Sequence, residues 1–190
     1  MLRRILLVCF ITACFGFSGV AVSAQEVIHA LTGTVSAVDP TAKTISVFLD
    51  TGSEGEFSDL TNGKIPSSFD KKLRLVTTAV DESKKKGAYV IVFYFGGSDT
   101  RTAVALRNLG AGPFTSVVGT VSKFESHGRS ISVQDESGAI QTFKLDESTV
   151  AEGGSGATEG LKFDAQKGDR VRIVGSSAAG GLTALFVRAM

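Results

Sequence analysis

The chain has 190 residues, 43% of them hydrophobic, with 20 basic and 19 acidic side chains. That length suffices for one ordinary domain or two small ones. The near-neutral charge excludes a strong electrostatic pull towards nucleic acid or an anionic membrane.

The first predicted element is a leader. Met1-Leu2-Arg3-Arg4 is basic, Ile5 to Phe17 is an almost unbroken apolar run, and Val22-Ser23-Ala24 sets small residues before Gln25. That order reads as a secretory signal peptide, residues 1–24, removed on export to the periplasm or beyond. The apolar run falls short of the roughly 20 residues a spanning helix needs, so no stable membrane span is expected after processing. Ile11-Thr12-Ala13-Cys14 carries a second reading, a lipobox that would anchor a lipoprotein through Cys14. Both cysteines, Cys9 and Cys14, lie in this segment. A chain beginning at Gln25 therefore has no disulfide, no thiolate chemistry and no Cys-based metal site. Losing Arg3 and Arg4 takes the 20 basic residues to 18, against 19 acidic ones.

The remainder is written twice. Gly33 to Val47 (GTVSAVDPTAKTISV) returns 86 positions later as Gly119 to Val133 (GTVSKFESHGRSISV). The spacing continues to Gly52/Gly138 and Phe57/Phe143, then drops to 81 for Lys86-Gly87/Lys167-Gly168, Val90/Val171, Val92/Ile173, Thr102-Ala103/Thr183-Ala184 and Arg107/Arg188. A unit of this size is a repeated domain, not a solenoid repeat. Leu109-Gly-Ala-Gly-Pro113 supplies a Gly/Pro joint.

Each copy reads as β structure. Leu31, Gly33 and Val35 alternate with Thr32, Thr34 and Ser36, and Ile45, Val47 and Leu49 alternate with Thr44, Ser46 and Phe48. This period of two marks half-buried strands. Asp39 to Lys43 and Glu125 to Arg129 have turn chemistry. Thr51-Gly52 and Ser137-Gly138 mark the next hairpins, and Phe57 and Phe143 sit on third strands. Irregular stretches follow at 60–86 and 146–167. Leu73 and Leu75 suggest a strand there, Asp81 to Lys86 a helical turn, and Gly153-Gly-Ser-Gly156 a flexible loop. Strands over 88–95 with 101–108, and 169–175 with 182–188, close the copies. The fold class expected is all-β: two tandem five-stranded OB-like barrels over 27–109 and 115–190, joined by the linker 110–114.

The phrase at Gly33 to Val47, the strand Gly168-Asp-Arg-Val-Arg-Ile-Val-Gly175 and the ending Ala184-Leu-Phe-Val-Arg188 resemble a bacterial family of exported OB-like barrel domains of unknown function. The first copy departs at Gly87-Ala88-Tyr89, which lacks the Asp, and in its longer middle. The resemblance implies the fold and an envelope setting, and supplies no catalytic residue.

Chemistry-bearing groups are sparse. His29 and His127 are the two histidines and read as surface side chains, too few for a His-based metal site. Asp50, Glu54, Glu56, Asp135, Glu136, Asp146 and Glu147 sit beside Gly and Ser and read as solvated turns without calcium-loop spacing. No Gly-x-Ser-x-Gly elbow is present, and Gly153-Gly-Ser-Gly156 lacks the end of a phosphate loop. Lys84-Lys85-Lys86 reads as a solvated turn. No catalytic, metal or cofactor residue is assigned.

The two copies differ in one informative way. Arg170 and Arg172 mark the outward face of their strand, so Val171 and Ile173 point inward. The same register puts Val90 and Val92 inside and turns Tyr89, Ile91 and Phe93 outward, with Phe48 where the second copy has Gln134. These four form the candidate interface or ligand patch, covered either by the other copy and the middle segment or by a ligand or partner. The function expected is a non-catalytic exported binding or assembly module of the bacterial envelope, its partner an envelope protein or glycan, with no nucleic acid. The alternatives are a carboxylate-dependent hydrolase of envelope glycan or peptide, and a purely structural envelope protein.

Overall fold

The alternating segments form strands in both copies. The computed structural model describes residues 26–59, 67–75, 85–97, 100–110, 112–127, 129–178 and 180–190. The leader, both cysteines and Asp81 to Lys84 lie outside the described residues. In the first unit, β1 (His29–Asp39), β2 (Thr44–Leu49), β3 (Glu54–Asp59), β4 (Tyr89–Phe95) and β5 (Thr102–Gly110) close in the order β1-β2-β3-β5-β4, with β4 returning to β1. The second unit holds β6 (Phe114–Glu125), β7 (Ser130–Asp135), β8 (Ile140–Lys144), β9 (Val150–Gly153), β10 (Gly156–Glu159), β11 (Arg170–Ala178) and β12 (Gly181–Ala189). There β6-β7-β8-β12-β11 closes in the same way, and β12 also carries β9 as a parallel neighbour. The molecule is thus two tandem β-barrels. Because β5 runs to Gly110 and β6 starts at Phe114, the connection is 111–113, and its Gly112–Pro113 peptide is cis.

The duplication extends to irregularities. Bulges fall between Val35 and Ala37 and between Val121 and Lys123, and again at Phe93/Tyr94 and Val174/Gly175. Parallel closure pairs Ser58 with Thr102 and Lys144 with Thr183. Val35 exchanges backbone hydrogen bonds with Ala88 and Gly87 at 2.9 and 2.8 Å, as Val121 does with Asp169 and Gly168 at 2.8 and 2.9 Å. Gly33 and Gly119 are kept for space: a Cβ would lie 2.4 Å from the Phe48 carbonyl oxygen and 2.1 Å from that of Gln134.

Three apolar clusters follow from the in–out alternation. Leu31, Val35, Ile45, Val47, Leu49, Phe57, Val90 and Val92 fill the first barrel. Val121, Ile131, Val133, Phe143, Val171 and Ile173 are among those filling the second. The third lies between the barrels, where Ile28, Phe69, Leu73, Ile91, Phe93 and Ala105 of the first unit meet Val150, Val174 and Phe186 of the second.

The middle segments depart from expectation in two places. Leu73 lies not on a strand but on α1 (Lys71–Leu75), whose start is held by the Asp70 carboxylate accepting the Lys72 N–H at 2.7 Å. Leu73 then drops into the inter-barrel cluster. Gly153 to Gly156 is the tight tip of the β9–β10 hairpin, not a free loop; Gly156 has φ +97°, and the Ala157 N–H donates to the Ile28 carbonyl at 2.7 Å.

Candidate functional site

The four candidate patch residues separate. Ile91 and Phe93 have 0% exposure and lie inside the inter-barrel cluster, Phe93 against Phe69 with ring centroids 5.1 Å apart. They face outward from their own barrel and are covered by the second barrel and α1, so they offer no free surface. Tyr89 is half-buried at the rim of the same joint, its ring 5.0 Å from Phe114 of β6. Phe48 stands apart at 55% exposure, two strands over on β2, paired with Thr34 of the intervening β1.

The joint has a repeated geometry. Phe93 and Val174 are equivalent positions of the two copies, as are Ala105 and Phe186, and all four lie in it. Each barrel therefore presents the same sheet face. Divergence has fitted the faces together, with large Phe93 and Phe186 set off by smaller Val174 and Ala105, the complementarity that close packing requires.

Polar bridges surround this apolar centre. The Glu152 carboxylate, nearly fully buried, lies 2.8 Å from His29 Nδ1 and accepts the Ala30 N–H at 2.8 Å. Burial pushes its carboxyl above the usual range, against the opposing pull of those two partners. His29 is thus a joint residue rather than a free surface histidine; its partner is 123 positions away, on the other copy. Asp50 is likewise no solvated turn: its Oδ2 accepts from Thr32 Oγ1 at 2.6 Å and from Tyr89 Oη at 2.5 Å, and its carbonyl accepts from Arg172. Burial first, then Asp50, push the Tyr89 phenol above its ordinary range. Arg107 donates to the Ser148 carbonyl across the joint, and burial lowers its pKa. Beside α1, Glu159 meets Lys162 Nζ at 2.7 Å and Lys72 Nζ at 3.1 Å, while Lys162 also reaches Asp70 at 3.2 Å. The Lys162 hydrogen bond is the main cause holding the Glu159 carboxyl below its usual range.

The other singled-out groups do not converge. His127 is exposed, with Ser126 Oγ at 3.4 Å. Asp135 and Asp146 are turn caps, accepting from Ser137 and Ala139 and from Ser148 and Thr149. Lys85 and Lys86 are exposed. Among the described residues no three His, Cys, Asp or Glu side chains gather as metal ligands.

Two of the clefts that open to solvent carry an arginine. One, about 320 Å³, runs between β3 and the β4–β5 connection, with Glu54, Glu56, Ser58, Thr100 and Arg101 on its walls. Arg101 lies over the Phe57 and Tyr94 rings at 5.6 and 5.7 Å, filling a gap that Gly55 leaves. The other, about 220 Å³, opens at the end of the second barrel between the β6–β7 turn and the 3-10 turn Gly160–Lys162. Half-buried Phe124 and Leu161 line its inner wall over the nearly buried Leu145 and Phe163; Glu125, Ser126 and Arg129 stand at its rim and make the lining more polar than apolar. Neither cleft was legible in the sequence, since each joins segments far apart in the chain.

Fold and joint together define a tandem β-barrel protein in which the two copies share one buried face. No family model matches the chain, and no curated protein is similar to it.

Proposed function

We propose that this chain is a non-catalytic, exported binding or assembly module of the bacterial envelope, acting as one rigid two-barrel body. One observation carries the reading. Among the described residues, buried Glu152 and Glu159 are taken up in linking the barrels, to His29 and to Lys72, while Tyr89 is tied to Asp50 of its own barrel at the rim of the joint. Acid–base or nucleophilic catalysis needs such groups aimed together into a pocket. Here they are paired at a packed joint and its rim, and the barrel ends are left as contact surfaces. The leader-like N-terminus and the family resemblance of the repeat support export and an envelope setting. OB-type barrels hold ligands through a sheet face and its flanking loops, which suits an envelope protein or glycan partner.

The test is to express the full chain in a bacterium, locate it by fractionation and read its N-terminal mass. The purified protein is then offered envelope glycan and peptide fragments. The reading expects an exported chain that starts at Gln25 and holds a fragment unaltered. Turnover of a fragment, abolished by substituting one carboxylate, would overturn it in favour of a hydrolase.

A further inference from the structure

The cleft at the end of the second barrel has an oddity at its rim. Arg129 sits at φ +51°, in the left-handed region where a Cβ is strained and glycine is the cheap choice. Its backbone is pinned there, because the Arg129 carbonyl accepts the Leu145 N–H at 2.7 Å. Lys43, the equivalent residue of the first copy, has φ +56°. Both turns thus place a long cation where their own geometry would be eased by glycine. The conformation belongs to the repeated turn, and residues held in such conformations cluster at functional sites.

Charge around the second of these cations is unbalanced. Glu125, the acid on the same rim, is engaged by Lys123 Nζ at 2.5 Å and Ser130 Oγ at 3.1 Å. Among the described residues no acidic side chain pairs with Arg129. Below it lie Phe124 and Phe163, edge to face at 6.4 Å, with Leu145 and Leu161. The volume, about 220 Å³, is under the roughly 300 Å³ at which pockets for drug-sized ligands begin. A mixed cleft of fragment size, with apolar side chains inside and at its rim one guanidinium that no acidic side chain among the described residues pairs, selects a particular chemistry.

From this geometry we infer that the cleft binds a small amphiphilic anion: an aromatic or short aliphatic body seated on Phe124, Leu161 and Phe163, with a carboxylate or sulfonate on Arg129. A guanidinium is suited to this role, since it stays charged at any physiological pH and meets a carboxylate with two parallel N–H donors. The inference deepens the binding reading above and takes its biological setting from it, but its test needs only the purified chain.

The test titrates 3-phenylpropionate into full-length protein and follows backbone amide shifts by NMR. The expected result is saturable shifts centred on Phe124, Arg129, Leu145 and Leu161. Arg129→Gln is expected to weaken binding at least tenfold and Arg129→Lys to retain more of it. Neutral 3-phenylpropanol should bind at least tenfold more weakly than the acid, and acetate should not saturate. Arg129→Gly should raise the melting temperature while losing the ligand, which separates a cation kept for binding from one kept for the fold. Absence of saturable shifts in the wild type, equal affinity in Arg129→Gln, or a lower melting temperature in Arg129→Gly would each overturn the assignment. A null result at this cleft leaves the envelope-module reading standing, because that reading fails instead through fragment turnover.

Discussion

Phe93→Ala tests the joint through its centre. Phe93 is fully buried, packed on Phe69 and clustered with Val174 and Phe186, and so is held from three elements that cannot all collapse into the space it would leave. Truncating such a phenylalanine costs roughly 3–5 kcal/mol, the lost transfer of the ring plus the cavity. In a body of this size each kcal/mol shifts the midpoint by roughly 2–4 °C, so the melting temperature should drop by roughly 6–20 °C. Phe48→Ala is the internal control: at 55% exposure on the same outer sheet surface, it should change stability by less than about 0.5 kcal/mol. Circular dichroism melts and urea titrations of both variants give the comparison. Equal, small effects at the two positions would refute the assignment of Phe93 to a packed joint.

Other expectations follow from local geometry. Gly119→Ala should cost roughly 1–3 kcal/mol in urea unfolding because the new Cβ meets the Gln134 carbonyl, whereas Gly153→Ala, with open space around it, should be within about 0.5 kcal/mol of wild type. The two tyrosines, Tyr89 and Tyr94, both have raised phenol pKa values, chiefly from burial. The stability linked to them is therefore complete below the unfolded phenol value of about 10 and lost as pH rises through the folded values. An alkaline titration of native protein should show no tyrosinate absorbance step at the ordinary phenol pKa; a full step there would contradict the burial. Burial raises the Asp146 carboxyl, but hydrogen bonds from Ser148 and Thr149 outweigh it, and its pKa is lowered overall. Its contribution is present above the unfolded value of about 4 and lost as pH falls through the folded one. Asp146→Asn should cost about 1 kcal/mol at neutral pH, a figure kept low because the group is partly exposed, and should flatten the acid limb of the stability profile.

Local signals carried the barrels and non-local ones did not. The repeat, the period of two and the turn residues were enough to place the ten barrel strands, and the Arg170/Arg172 comparison gave the correct inward set, Val90 and Val92. The partners of the outward set were beyond reach of pattern. His29 looked like a surface side chain because Glu152, the group that holds it, belongs to the other copy. Asp50 looked like a turn carboxylate because Tyr89 comes to it only through the closure of its own barrel, and Arg172 reaches its carbonyl only from the other copy. Leu73 and Leu75 alternate like a strand, yet the Asp70 cap commits that short piece to a helical turn. Gly153-Gly-Ser-Gly156 is rich in loop residues, yet a sharp hairpin tip needs the same residues, and pairing with β12 makes the difference. The cleft at Arg129 was hidden for the same reason: the positive φ of a basic residue has no signature in composition.

Backbone residual dipolar couplings, measured for the full chain in one alignment medium, bear on the shared joint itself. If the equivalent faces are packed as described, couplings from 29–59 and 89–110 and those from 114–189 fit a single alignment tensor in the observed relative orientation. Two tensors of different magnitude, one per barrel, would mean that the barrels move independently, and the shared buried face would be wrong.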